Sequence, residues 1–196
     1  PFCPTRCAYC SFVSQSVVRA ARLIPQYVAL LCEEIRYTAQ VAKQIGLRLE
    51  SVYIGGGTPT TLSPEQLGQV MDAVNENFSM QTCREFTVEA GRPDTIDRAK
   101  LKVLKEKGAA RISINPQTLN NAVLQEIGRR HTAEQAIDSF YLARELDFDN
   151  INMDLIVGLP KDDEESFTRT LQQVLELSPE SVTVHALSLK RSSKIR

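Results

Sequence analysis

Three cysteines, Cys3, Cys7 and Cys10, open the chain in the spacing C-x3-C-x2-C. Thiolates bind both zinc and iron–sulfur clusters. Structural zinc sites usually close with four ligands, as paired C-x2-C units or with His. No second pair follows here. Three thiolates on a four-iron cluster leave one iron open, and an open iron can take a substrate or cosubstrate. The spacing therefore points to a cluster, with a zinc site as the plain alternative. Cys32 and Cys83 stand far from the triplet and read as ordinary small hydrophobes.

Other residues able to do chemistry lie at intervals along the chain. Gly55-Gly56-Gly57-Thr58 follows the apolar segment Ser51-Val52-Tyr53-Ile54. Glycines let a backbone turn tightly or come close to a ligand. Their spacing is not G-x-G-x-x-G, which argues against a dinucleotide site. Glu89 ends an otherwise apolar strand, where it either caps the next segment or points into a site. Gln117 follows Pro116 and can donate and accept hydrogen bonds, although alone it reads as a surface turn residue. Asp154 interrupts the apolar run Ile151–Val157, and a buried carboxylate there needs a partner, a salt bridge being the simplest. Arg129-Arg130-His131 is a local basic cluster that alone reads as a solvated helix end, with His131 a cap or surface group.

The elements that must position these residues follow from periodicity and caps. Arg22–Ile45 carries Ile24, Val28, Leu31, Ile35 and Ala39 at helical spacing, with Gly46 as the stop. Ser63-Pro64-Glu65-Gln66 is a helix start, with Ser at the cap, Pro in the first turn and Gln three residues on; the helix runs to Asn77. Further helices are expected at Thr95–Lys107, Asn121–Ile127, Thr132–Leu146 and Glu164–Leu177. Strands are expected at Ser51–Ile54, Glu85–Glu89, Arg111–Asn115, Ile151–Val157 and Ser181–Ser188, with Pro116 barring the third from continuing in the middle of a sheet. Alternation of strands and helices along the whole chain implies βαβ units and a parallel sheet, an α/β fold. In parallel α/β barrels the chemistry sits at the C-terminal ends of the strands. The cysteine loop, the triple glycine, Glu89, Gln117 and Asp154 all fall there.

At 196 residues, the chain is long enough for one domain, 1–196, with a sizeable core. A formal net charge of −1 gives no reason to expect nucleic acid as a partner. No apolar run approaches the roughly 18 residues needed to span a membrane, and no targeting segment is visible. An odd number of cysteines clustered at one end suits a reducing, cytoplasmic setting. The chain opens directly in the cysteine loop and ends at Ser192-Ser193-Lys194-Ile195-Arg196 with no final helix. A fragment of a longer protein is expected, with a further strand just before Pro1.

Taken in order, P-F-C-P-T-R-C-x-Y-C, G-G-G-T-P-T, V-E-A, P-Q-T-L-N, G-R-R-H-T and N-M-D-L-I-V-G-L-P resemble the oxygen-independent coproporphyrinogen III oxidase (dehydrogenase) family of radical S-adenosylmethionine (SAM) enzymes. The resemblance covers nearly the whole chain. It implies an incomplete, open (β/α)6 barrel of parallel strands. It implies that Cys3, Cys7 and Cys10 bind a 4Fe–4S cluster whose fourth iron takes SAM. Gly56, Gly57 and Thr58 would match the turn that holds the SAM ammonium, and Glu89 the SAM-binding glutamate. Gln117 and Asp154 would match residues at the ribose, and Arg129 the arginine that pairs with the SAM carboxylate, for which a guanidinium fork is suited. The implied chemistry begins when a 5′-deoxyadenosyl radical removes hydrogen from a propionate β-carbon. Loss of CO2 and one electron leaves a vinyl group. Two rounds convert coproporphyrinogen III to protoporphyrinogen IX in heme biosynthesis. The family expectation for the electron donor is a flavodoxin or ferredoxin.

The chain departs from the best-established oxidase pattern in three places. Phe12 stands where that pattern has a fourth cysteine, as in related heme chaperones. Ile114-Asn115-Pro116 stands where Gly-x precedes the glutamine more often. Gly91-Arg92-Pro93 replaces a more usual Asn/Asp-Pro. These forms resemble an oxidase-like side branch. The rivals are a heme-binding chaperone and a radical SAM enzyme acting on another substrate.

Overall fold

In the computed structural model, which describes residues 1–190, Ser193 and Ile195, two short strands bracket the cysteine loop. They are β1 (Phe2–Cys3) and β2 (Gln15–Ser16), paired in parallel. Neither has enough residues to show a period, so neither was foreseen. Helices α1 (Val17–Ala20) and α2 (Ile24–Gln44) follow. Then strand and helix alternate: β3 (Ser51–Ile54), α3 (Pro64–Asn77), β4 (Glu85–Glu89), α4 (Arg98–Glu106) and β5 (Arg111–Gln117). After α5 (Asn121–Glu126) and α6 (Ala133–Glu145) come β6 (Ile151–Val157), α7 (Glu164–Glu176) and β7 (Ser181–Ala186). Ser192, Lys194 and Arg196 of the terminal stretch expected to lack a helix lie outside the described residues.

Strands β3 to β7 form one five-stranded sheet in sequential order, every pair parallel. This is the expected α/β winding, and among the described residues it does not close into a barrel. The caps explain the helix starts. Ser63 and Gln66 form the anticipated capping box of α3, and Thr132 and Gln135 that of α6. Helix α4 starts later than Thr95 because Asp97 caps it, accepting from the Lys100 amide at 2.9 Å, while Pro93–Thr95 forms a separate 3-10 turn.

The two faces of the sheet differ. Phe86, Val88, Ile112, Ile114, Ile151 and Met153 point under the helices, into a core shared with Leu67, Leu101, Leu104 and Phe140. The alternate residues of the same strands are polar. Asn152 is their hub: its amide donates to Ser113 Oγ at 2.9 Å, and its carbonyl accepts from Ser181 and Thr183, each at 2.9 Å. Parallel sheets are normally apolar on both faces. A polar second face suits a lined interior rather than a second packed layer.

Strand β5 overrides one sequence expectation. It runs through Pro116 instead of stopping before it. The register slips by one residue between Ile114 and Gln117, so Asn115 and Pro116 sit in a bulge where a missing N–H costs no ladder bond. Beside β3 lies an apolar groove of about 330 Å3, lined by Tyr27, Leu31, Val52 and Val70 among others. Its lining offers none of the cysteines or acids that would carry chemistry. Cys32 is buried in the core, and Cys83 packs against it, as expected of small hydrophobes.

Candidate functional site

The cleft that gathers the reactive residues lies at the C-terminal ends of β3, β4 and β5. Cys3, Cys7 and Cys10 line it, and all are free thiols. The loop carrying them is docked from below. The Ala8 amide donates to the Ile127 carbonyl at 2.9 Å, and Thr5 Oγ1 donates to the Gly128 carbonyl at 3.1 Å. Tyr9 packs on a small cluster formed by Val123, Leu124, Ile127, Ile156 and Leu159.

The glycine turn faces this loop. The Thr58 amide donates to the Phe2 carbonyl at 2.8 Å, and Thr58 Oγ1 lies 3.5 Å from Cys3 Sγ. A Cβ on Gly57 would fall 2.5 Å from the Phe2 carbonyl oxygen. The close backbone approach foreseen at this glycine is therefore made, in the chain itself, to β1. Gly56, at φ 114°, donates its amide to Glu89 Oε2 at 3.1 Å. Tyr53 Oη donates to Glu89 Oε1 at 2.7 Å. Burial, with the Glu89 carboxylate next in effect, pushes the Tyr53 phenol above its ordinary value, so it remains a donor. Glu89 thus points at the cleft rather than capping the next segment. It accepts only one bond on each oxygen in this network, which leaves acceptor capacity for an ammonium.

Gln117 is buried, not a surface turn residue. Its φ of 72° is left-handed, a costly backbone state that clusters at functional sites. Among the described residues its buried Oε1 has no hydrogen-bond partner. Arg129 is buried too. Its Nη1 donates to the Asn115 carbonyl at 2.5 Å, an acceptor freed by the β5 bulge, and Nη2 donates to Tyr9 Oη at 3.0 Å. Its Nε–H is left without a partner among the described residues. Burial opposes the Arg129 charge, but the neighbouring Tyr9 and Cys7 more than offset it, so the group stays a cation. Burial likewise lifts the Tyr9 phenol to about 12 despite Arg129.

His131 overturns the surface reading of the basic cluster. It is 2% exposed, whereas Arg130 is exposed. Burial, then the Arg129 charge, push its imidazole down to about 3. The Pro116 carbonyl opposes that shift without reaching hydrogen-bond geometry, and among the described residues both ring nitrogens lack a partner.

Asp154 is the residue not brought to the cleft wall. It lies in the polar network of the sheet, accepting from Asn152 Nδ2 at 2.5 Å, and among the described residues it takes part in no salt bridge. Tyr53, Asn115 and Arg92 were not foreseen as site residues. Tyr53 had one usable signal, its place opposite Val52 and Ile54 in the alternation of β3. The other two carry no spacing signal.

The donor set decides what could bind. Three free thiols line the cleft with a carboxylate of spare capacity, an orphaned donor and an orphaned acceptor, although among the described residues no three His, Cys, Asp or Glu side chains are gathered closely enough to hold a single metal ion. Orphaned buried polar atoms are costly and rare in proteins. A metal cluster plus a zwitterionic ligand would use them all. The cleft itself measures about 160 Å3, part of its wall being the Arg92 side chain.

A profile of the radical SAM superfamily matches residues 1–174. The chain belongs to that superfamily. Members of the superfamily bind a 4Fe–4S cluster and SAM, and the radical SAM donor set above fits both. The oxygen-independent coproporphyrinogen-III oxidase-like protein HemZ of Bacillus subtilis is 41% identical over 196 residues, which is all of this chain and 39% of that protein. The heme chaperone HemW of Lactococcus lactis is 37% identical over 97% of this chain and 48% of its own length. Among solved structures, coproporphyrinogen III oxidase (HemN) from Escherichia coli, a radical SAM enzyme, superposes with a TM-score of 0.85 at 30% identity, covering 98% of this chain and 46% of that one. The chain thus spans less than half the length of these relatives. No helix of the described residues is long and apolar enough to cross a membrane.

Proposed function

We propose that this chain is the radical SAM core of an enzyme of porphyrin biosynthesis that oxidatively decarboxylates the propionates of coproporphyrinogen III. The observation that carries the SAM site is the pair of orphaned buried atoms, Gln117 Oε1 and Arg129 Nε, on the same cleft as the three free cysteines. The relatives named as coproporphyrinogen oxidases support the substrate.

In this reading Cys3, Cys7 and Cys10 hold the cluster. When bound, cluster and SAM supply a 5′-deoxyadenosyl radical for hydrogen abstraction. The chain's own part is to bind and orient. Glu89 and the Gly56-Gly57-Thr58 turn hold the SAM ammonium. Arg129, held by the Asn115 carbonyl and Tyr9, would pair with the carboxylate. Gln117 meets the ribose, with Asp154 behind it on the polar face. The electron donor expected is a flavodoxin or ferredoxin.

A second reading is a heme chaperone that keeps the radical SAM core. It is favoured by Phe12, 71% exposed where a fourth cysteine would stand, and by the relatives named HemW. The deciding experiment uses full-length protein, reconstituted anaerobically with iron and sulfide, reduced, and given SAM and coproporphyrinogen III. Protoporphyrinogen and 5′-deoxyadenosine should rise together. Deoxyadenosine without porphyrin product would move the activity to another substrate. Neither product, from protein shown to carry the cluster and to bind heme, would establish the chaperone reading.

A further inference from the structure

Arg92 follows β4, between Gly91 and Pro93, and is 4% exposed. Its guanidinium is committed to the cysteine loop. Nη1 donates to Thr5 Oγ1 at 2.8 Å. Nη2 donates to the Thr5 carbonyl at 2.6 Å and to Cys7 Sγ at 3.0 Å. Among the described residues, no carboxylate pairs with it. A buried cation without a counter-charge is expensive. The group it faces that can carry negative charge is the Cys7 sulfur.

The three thiols are not treated alike. Cys7 receives a charge-assisted bond, the stronger kind. Cys3 receives a longer, neutral one from Thr58 at 3.5 Å. Both neighbouring guanidiniums, Arg92 and Arg129, are buried in the same wall, so the cleft is electropositive on the Cys7 side. Burial keeps those charges poorly screened.

We propose that Arg92 is a positioning residue that sets the reduction potential of the cluster. It ties down the loop at Thr5 and fixes a positive charge on one ligating sulfur. Hydrogen bonds to sulfur and nearby charge are among the levers by which proteins tune such clusters. A cluster gains one negative charge when it takes up one electron from an external reductant. A fixed cation against its ligand stabilises that reduced form and raises the potential. The inference rests on the cluster reading given under the proposed function.

The test is an anaerobic redox titration of reconstituted full-length protein without added SAM, followed by electron paramagnetic resonance of the reduced cluster. Arg92→Gln should lower the one-electron reduction constant at least tenfold, a shift of 59 mV to more negative potential. Arg92→Lys, which keeps the charge but not the fork, should shift it less. The resonance reports only clusters that are present, so partial loading does not blur the potential. A loaded Arg92→Gln variant with the wild-type potential overturns the assignment. So does total loss of cluster in Arg92→Gln, which would make Arg92 a loop anchor and leave it no separate part in the potential. Wild-type protein that takes up no iron–sulfur cluster removes the cluster reading itself, and the two failures are told apart by that control.

Discussion

Gly57→Ala should be among the most damaging small substitutions in the chain, and the reason lies in the backbone of β1. The added methyl would meet the Phe2 carbonyl oxygen at 2.5 Å, the Phe2 nitrogen at 2.9 Å and the Phe2 carbonyl carbon at 3.1 Å. These are main-chain atoms and cannot rotate aside. The glycine turn and β1 must separate, and the Thr58–Phe2 bond of 2.8 Å goes with them. Overpacking of this kind costs about 1–3 kcal/mol, and the lost hydrogen bond about 1 kcal/mol more. A destabilisation of about 2–4 kcal/mol is expected, measured by urea unfolding of the reduced, cofactor-free protein followed by circular dichroism. Gly68→Ala is the internal control. Gly68 lies inside α3, and its added methyl would meet Val103 Cγ1 at 3.6 Å, an ordinary contact. That variant should gain roughly 0.5–1 kcal/mol from helix propensity. If Gly57→Ala unfolds within about 0.5 kcal/mol of wild type, the turn does not press on β1, and the apposition of glycine turn and cysteine loop is wrong.

Other outcomes are expected of the same site. His131, with a folded-state pKa of about 3 against 6.5 unfolded, should make the protein acid-sensitive. Between those values only the unfolded chain takes up a proton, so stability falls as pH drops; from pH 6.5 to 5 the loss is on the order of 2 kcal/mol. His131→Leu should flatten that part of the stability–pH curve, and an unchanged slope would mean the imidazole is not buried neutral. Cys7→Ala should abolish cluster retention in iron and sulfide analysis; a full iron complement would remove Cys7 from the ligand set. Arg129→Ala should weaken SAM binding by roughly 1–3 kcal/mol, about 5- to 150-fold by calorimetry, and unchanged affinity would exclude it from the site.

What could be read from the chain alone was whatever depends on near neighbours. Helix starts at Ser63 and Thr132 rest on groups three residues apart, and the structure has both capping boxes. The strand–helix alternation, and with it the parallel sheet, follows from the period of apolar residues over short windows. The cysteine spacing, the triple glycine and the order of the remaining motifs were enough to place the chain in its superfamily. Where local rules failed, a distant partner had outweighed them. Pro116 stays in β5 because the bulge against β6 removes the need for its N–H. His131 is buried because it packs beside Arg129 and the Pro116 backbone rather than facing water. Arg92 meets Cys7 across 85 residues of chain, and Tyr53 meets Glu89 across 36. No spacing rule reaches that far. Which side chains a cleft collects is decided when the sheet winds and brings its strand ends together, and that contact geometry is a property of the packed molecule.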